Sequence, residues 1–464
     1  MEPAPGSGRA ASGPGLGLSA VRSHNAGLVL GLLRAAGAAG ASRHELAAGT
    51  GLTPQAVSKI GARLRAAGLA APAGRRASTG GKPATLLRLV PEAGHAVGLQ
   101  LDRDEVRVAV VDLAGRVVAS RRGPLDFGLR PQEVVAAAAR EVEAAAAQAG
   151  LAWPAGLAGP EGPSGSRLRA GGTVAGATAT EQSVPVPVPV PVPGPVPGPG
   201  AGPGSGTGPE LGLGADGGGD GDGLGGGGGG GDGGGGGGGG GGLWGVGCAV
   251  PGPLDHRDGV MGRVTGFPHW DGFPLRAALA ERLGLPVVLD KDTNAATVGL
   301  AAGAGGAGSF AYVHAGTGLG AGLFLGGAPH RGSRTGAGEF GHQVLLLDGP
   351  RCRCGARGCV EALCLEALAG GDARTAARLL GEAVANLVAL LDVDAVVLGG
   401  RAVAADPEVF VRGVGAVLSA RALGAYEVRV RAAPEGAVVA GAAELVLTEA
   451  FGQQYPSPEP TPAP

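Results

Sequence analysis

Cys352-Arg353-Cys354-Gly355-Ala356-Arg357-Gly358-Cys359 is the most informative stretch of this 464-residue chain. Three thiols within eight residues, spaced by Gly355 and Gly358, form a knuckle able to wrap one tetrahedral Zn2+. The fourth ligand could be His342 or Cys364. Free buried cysteines rarely cluster in a glycine-rich loop, and the pattern implies no open coordination position. The metal is therefore expected to be structural, while still able to hold a neighbouring side chain in place. Five cysteines, an odd number, argue against a secreted disulfide framework and for a cytosolic protein with a metal site.

Upstream of the knuckle, Gly316-Thr317-Gly318-Leu319-Gly320-Ala321-Gly322 separates two predicted strands, Phe310–Val313 and residues 321–326. Glycines let backbone amides approach an anion closely, although a plain hairpin uses the same turn. Asp290-Lys291-Asp292-Thr293-Asn294 follows the apolar strand Val287–Leu289. Asp292 there could act as a base toward a substrate hydroxyl, or cap the helix expected over Asn294–Gly303. Helices are also predicted over residues 131–150, Leu275–Leu283 and Ala373–Leu391. Strands are predicted over residues 243–250 and Ala395–Leu398, and residues 96–120 read as two strands joined by a turn. This alternation across residues 96–450 implies an α/β core.

The other end of the chain is basic. Residues 1–90 hold 11 Lys and Arg against two acids, so a head of charge +9 sits on a body of charge −11. Such a head suggests a polyanion partner. Leu28, Leu32 and Leu33 have helical spacing, and Gly37 and Gly40 end that helix. Ser42-Arg43-His44-Glu45 is a capping box opening a short helix to about Ala48. Gly49-Thr50-Gly51-Leu52 turns the chain, and Thr53-Pro54 starts a third helix reaching about Ala67. Two short strands follow over residues 69–90, around Thr79-Gly80-Gly81-Lys82-Pro83. The order is that of a winged helix-turn-helix, spanning residues 21–90. Gln55, Ser58, Lys59 and Arg63 are its candidates for base or phosphate contact, and Arg75, Arg76 and Lys82 for phosphate contact from the wing.

Of the 97 Gly and 36 Pro in the chain, 38 Gly and 13 Pro fall in residues 151–242. Val184–Pro199 should be extended polyproline II, and Gly225–Gly242 a random coil. Such a tract cannot bury enough apolar surface to offset its ordering entropy, so 151–242 reads as a disordered insertion. Residues 1–20 and 451–464 read as a disordered lead-in and tail. No apolar run is long enough for a membrane span, and Met1–Ala20 does not read as a signal peptide. A cytoplasmic, nucleoid-associated protein is expected.

Pro251-Gly252-Pro253, Asp292-x-Asn294, Gly316-Thr317-Gly318-x-Gly320, Gly338-Glu339-Phe340-Gly341-His342 and the knuckle running on to Glu361 together resemble the ROK family (repressor, open reading frame, kinase). The order matches over about 96–450, and the winged head resembles the repressor branch. The low-complexity insertion is not part of the family pattern. The resemblance implies a two-lobed, actin-like (ribonuclease H-like) sugar-kinase fold, carried by residues 96–150 and 243–450. It implies structural zinc held by His342, Cys352, Cys354 and Cys359 rather than Cys364. It also implies sugar-hydroxyl contacts from Asp292, Asn294, Glu339, His342 and Glu361, with His342 linking metal and sugar.

Family kinases carry an Asp-x-Gly-Gly-Thr-Lys-type loop for the phosphates of ATP. The equivalent stretch here is Gln100-Leu101-Asp102-Arg103-Asp104-Glu105. Its glycines are gone, and three carboxylates would face a polyanion. ATP binding is therefore not expected, and Asp292, the family's catalytic base, would be vestigial. The family also places Asn-Leu before a cleft Trp, where this chain has Phe267-Pro268-His269-Trp270. Its chain between Glu361 and Asp372 is shorter than usual in the family. The expected function is a sugar-responsive transcriptional regulator, a repressor, binding double-stranded operator DNA as a dimer or tetramer. The alternative is an ATP-dependent sugar kinase with an appended head.

Overall fold

The computed structural model describes residues 24–76, 84–153, 242–303, 308–421 and 427–452. These all belong to one unit, residues 1–160 with 238–464. The lead-in, the loop with Lys82 expected to form a wing, nearly all of the insertion and most of the tail lie outside the described residues.

The head follows its local signals. Helix α1 (His24–Ala36) buries Val29, Leu30 and Leu33. Helix α2 (Arg43–Thr50) begins with the reciprocal cap: Glu45 N donates to Ser42 Oγ at 3.2 Å, and Ser42 N donates to Glu45 Oε2 at 2.8 Å. It runs past the expected end at Ala48 and stops at Gly51, whose φ of 70° suits glycine. Thr53 caps α3 (Pro54–Ala66) by accepting from Ala56 N. Strands β2 (Ala70–Arg76) and β3 (Ala84–Leu89) pair antiparallel. The sequence reading missed β1 (Ala41–Ser42), which pairs with β3. Two residues show no alternation, so only the tertiary pairing makes them a strand.

The body contains two five-stranded sheets of the same design. In the first, β4 (Gly94–Leu101), β5 (Glu105–Asp112) and β6 (Val117–Pro124) form an antiparallel meander. Strands β7 (Gly242–Val250) and β10 (Val287–Lys291) extend it in parallel, giving the order β10-β7-β4-β5-β6. A small separate hairpin pairs β8 (Leu254–Asp255) with β9 (Val260–Met261). In the second sheet, β11 (Phe310–Ala315), β12 (Leu319–Leu325) and β13 (Ala328–Pro329) form the meander. Strands β14 (Ala395–Gly399) and β15 (Arg429–Ala432) extend it, in the order β13-β12-β11-β14-β15. The reading of residues 96–120 as two strands is corrected to three, because the chain also turns at Asp102–Asp104.

Helices α4 (Pro131–Gln148) and α5 (Leu275–Leu283) share the core of the first sheet. Helices α7 (Val360–Ala369), α8 (Ala373–Leu391) and α10 (Pro407–Ala420) share that of the second, and the short α9 (Arg401–Ala405) follows β14. Helices α6 (Asp292–Gly303) and α11 (Ala437–Ala450) share a further core with residues of both sheets. They cross where Gly299 meets Gly441: a Cβ on Gly299 would lie 2.6 Å from Gly441 Cα. A larger residue at this crossing would push the helices apart.

Three details differ from the sequence reading. Trp270 is fully buried rather than in a cleft: it stacks on Phe127 at 4.4 Å between ring centroids, and its Nε1–H donates to Phe127 O. Leu151 and Trp153, assigned to the insertion, pack against the core of the first sheet. Phe451, assigned to the tail, is buried beside Trp244.

Candidate functional site

The β4–β5 turn, the residues after β7, the β10–α6 junction, the β11–β12 loop and the chain from Glu339 to Glu361 converge on one pocket of about 110 Å³. Asp292, Glu339, His342 and Glu361, four of the five residues singled out for hydroxyl contacts, line it. Asn294 does not. Two residues further along the helix than Asp292, it points behind the wall, where its Nδ2 donates to Asp290 Oδ1 at 2.9 Å.

Glu361 is oriented by Leu319 N, which donates to its Oε2 at 2.8 Å. Asp292 accepts from Thr293 N at 2.6 Å. Desolvation pushes the Asp292 carboxyl above its ordinary range, against the pull of His314, Lys291 and that hydrogen bond. Thr293 also belongs to the pocket wall, and its hydroxyl is buried with no hydrogen-bond partner among the described residues. An orphaned buried hydroxyl costs free energy.

Sequence reasoning missed Lys291, Arg103, Thr293, His314 and Thr317 in this pocket. Lys291 is buried, and its Nζ donates to Ala337 O at 2.6 Å and Glu339 Oε1 at 3.2 Å. It therefore ties down the segment carrying Glu339. Its position between Asp290 and Asp292 was the available signal. Thr317 Oγ1 donates to Asp102 Oδ1 at 3.2 Å, joining the glycine turn of the second sheet to the β4–β5 turn of the first.

Beside this pocket lies a cleft of about 540 Å³, lined by Gln100, Asp102, Glu105, Gly399, Gly400 and Arg401 among others. The three carboxylates expected to repel a polyanion are each paired with arginine. Arg401 donates to Asp104 at 2.6 and 2.8 Å and reaches Asp102 at 3.4 Å, while Glu105 is held by Arg107 and Arg122. The repulsion expected from the sequence is thus largely neutralised. The Arg401 side chain lines the cleft and ties its α9 wall to the β4–β5 turn.

One histidine and three thiols gather at distances compatible with a single metal ion. His342 Nδ1 lies 3.6 Å from Cys352 Sγ, and Cys354 Sγ lies 3.7 Å from Cys359 Sγ. All four ligand atoms fall within 4.8 Å of one another. A tetrahedron with Zn–S bonds of about 2.3 Å has edges of about 3.7 Å. Residues His342, Cys352, Cys354 and Cys359 therefore fit zinc. Cys364 is turned away and donates to Ala376 O.

Residues 239–370 match the ROK family. The protein carries a ROK family domain. Over 120 residues the chain is 34% identical to a glucokinase of Thermotoga maritima, covering 25% of this chain and 38% of that protein. Over 121 residues it is 31% identical to a xylose repressor of Bacillus spizizenii, covering 26% of this chain and 31% of the repressor. The chain thus spans well under half the length of these two relatives. The crystal structure of a ROK family transcriptional regulator, a homologue of the E. coli MLC protein, aligns over 93% of this chain and 98% of its own. Its TM-score is 0.59 at 16% identity, which establishes likeness of fold. The ROK match takes in Asp292, the glycine turn and all four thiol-knuckle ligands.

In the head, Gln55, Ser58, Lys59 and Arg63 lie on α3 and are all exposed, on the side opposite buried Val57, Ile60 and Leu64. Ser58 is less available than the sequence suggested: its hydroxyl donates to Pro54 O at 2.9 Å and accepts from Arg43 at 3.5 Å. Arg43, at the start of α2, was missed and sits beside this face. Arg75 and Arg76 lie on β2 opposite Thr85 and Ala84, and Lys82 is outside the described residues. No described helix is long and apolar enough to cross a membrane.

Proposed function

We propose that this protein is a sugar-responsive transcriptional regulator, a repressor, whose residues 21–90 form a winged helix-turn-helix. The observation that carries this reading is the exposed polar and basic face of α3, presented by a head of charge +9 next to a domain with a hydroxyl-accepting pocket. Gln55, Lys59 and Arg63 would meet the major groove, joined by Arg43, with Arg75, Arg76 and Lys82 on phosphates. Asp292, Glu339, His342 and Glu361 would accept and donate to adjacent sugar hydroxyls, with Asn294 supporting from behind. Zinc on His342 Nδ1 and the three thiols would leave the other ring nitrogen for the sugar. Two copies would read a palindromic operator from the cytoplasm. The xylose repressor and the ROK regulator support this reading at the level of the family.

The test is capture of sheared genomic DNA by the full chain at near-physiological salt. Enriched fragments are then titrated with and without D-glucose, D-xylose and N-acetyl-D-glucosamine. Recovery of a few sites, with affinity changed by one sugar, supports the reading; uniform background recovery overturns it. Lys59→Ala and Arg63→Ala should each reduce the slope of log affinity against log salt by about 1. Unchanged slopes would remove α3 from the interface.

A sugar kinase is the second reading, favoured by Asp292 in the pocket, the adjoining cleft and the glucokinase relative. Arg401 on the cleft wall argues against it, since a polyphosphate would have to displace Asp102 and Asp104 from that guanidinium. Turnover of ATP with the same sugars would reinstate the kinase.

Asp292 provides a further check. Because burial raises its pKa, the folded state holds this proton more tightly than the unfolded chain, and ionisation above the raised value costs stability. Asp292→Asn should therefore raise the Tm of the unliganded protein at neutral pH. The gain should shrink as pH falls through the raised value and vanish below the ordinary carboxylate range. The same variant should lose the thermal shift given by sugar. A lower Tm at neutral pH would show that the carboxylate is stabilising.

A further inference from the structure

We infer that helix α11 couples the pocket to the head and that the Arg34–Glu444 ion pair is the pin of this coupling; the inference rests on the regulator reading above. Arg34, near the end of α1, donates to both carboxylate oxygens of Glu444 on α11, at 2.5 and 2.8 Å. Both side chains are mostly buried, 19% and 7% exposed. The guanidinium also reaches Ala114 O and lies over the Phe451 ring at 5.5 Å. A bidentate arginine fork held this way fixes orientation as well as distance. Around it the apolar core is continuous: Val29, Leu30 and Leu33 of α1 share one cluster with Ala443, Leu447 and Phe451. A Cβ on Gly27 would come within 2.8 Å of the backbone at Phe451 and Gly452, so α1 is seated directly on the end of α11.

The other end of the path is equally tight. One turn before Glu444, Gly441 abuts α6: a Cβ there would lie 2.0 Å from Ala295 O. One turn before Ala295 stand Asp292 and Thr293, both in the pocket wall. Two close backbone contacts, Gly441 on Ala295 and Gly27 on Phe451, together with the Arg34–Glu444 ion pair, thus join the pocket wall to α1 with no loop between them. A shift of the β10–α6 junction on ligand binding cannot be absorbed at the glycine crossing and must move α11, and with it Glu444. Close-packed elements pass such displacements on rather than damp them.

Linkage makes the coupling reciprocal, so it can be read without knowing the sugar. The full chain is measured by hydrogen exchange with and without a captured operator fragment. In the wild type, operator should change exchange over Asp290–Thr297 by about twofold or more, far from the DNA. Arg34→Met with Glu444→Leu removes both charges together, avoiding a stranded buried ion. This double variant should bind the fragment within about threefold of wild type, because neither residue lies on the exposed face of α3, yet lose the response at Asp290–Thr297. Arg34→Lys, which keeps charge but not the fork, should retain part of the response and serves if the double variant does not fold. An undiminished response in the double variant, or in Arg34→Lys a response equal to wild type, overturns the pin. Operator binding with no response in wild type overturns the coupling while leaving the regulator reading intact. Failure to recover any fragment overturns the regulator reading, and this inference with it.

Discussion

Cys359→Ser is expected to take the protein from one bound zinc per chain to none and to abolish the thermal shift given by sugar. Cys359 is fully buried and immediately precedes α7, whose second residue is Glu361. The knuckle is stapled to the segment after His342: Val360 N donates to Gln343 O at 2.9 Å, and Leu345 N to Gly358 O at 2.9 Å. Releasing one ligand therefore frees His342 from one side of the pocket and Glu361 from the other. Structural zinc contributes folding free energy directly, and serine is a poor replacement for a thiolate. A loss of about 3 kcal/mol would lower the Tm by roughly 6–12 °C for a domain of this size. A chelator should shift the wild type in the same direction and leave the variant unmoved. Metal analysis and thermal melts decide the matter: a wild type without stoichiometric zinc, or a variant retaining it, would overturn the assignment. Cys364→Ser should leave zinc content unchanged, since that thiol faces Ala376 O.

Gly247→Ala is expected to destabilise the fold strongly, by forcing a helix off the first sheet. Gly247 lies on β7 facing α11, and a Cβ there would fall 1.8 Å from Ala442 O. The obstructing atom is backbone, so no rotamer change relieves the clash, and helix and sheet must separate. Overpacking of a close-packed core usually costs about 1–3 kcal/mol, and a backbone clash this close belongs above that range. Because α11 also seats α1, the separation should expose the head to proteolysis as well as lower the Tm. Gly242→Ala, on the same strand with open space around its Cβ, is the control and should leave the Tm nearly unchanged. Equal melting of the two variants would show that α11 is not packed as described.

Much of this was legible in the sequence because its causes are local. Ser42 and Glu45 announce a helix start through atoms three residues apart, and the same holds for Thr53-Pro54 before α3. The helices Leu275–Leu283 and Ala373–Leu391 come out with their expected bounds, each closed by a left-handed residue, Gly284 and Asp392. The knuckle is legible for the same reason, since its three thiols are close in the chain before any folding. Asn294 shows where local reasoning fails. It sits in the same short motif as Asp292, but the helical turn between them carries its side chain to the far side of the wall.

The sequence by itself determined the α/β alternation, the caps of α2 and α3, the bounds of α5 and α8, the thiol cluster and the basic head, all set by residue chemistry within a turn or two of chain. Only the tertiary structure decided that Trp270 is core, that Lys291 holds Glu339, that Arg401 pairs with Asp104 and that Arg34 meets Glu444. Those pairs join residues up to 410 positions apart. Any of the chain's arginines could have matched a given carboxylate by charge alone. Close packing of α11 against the first sheet and α6 selects which ones meet, and that selection is a property of shape in three dimensions.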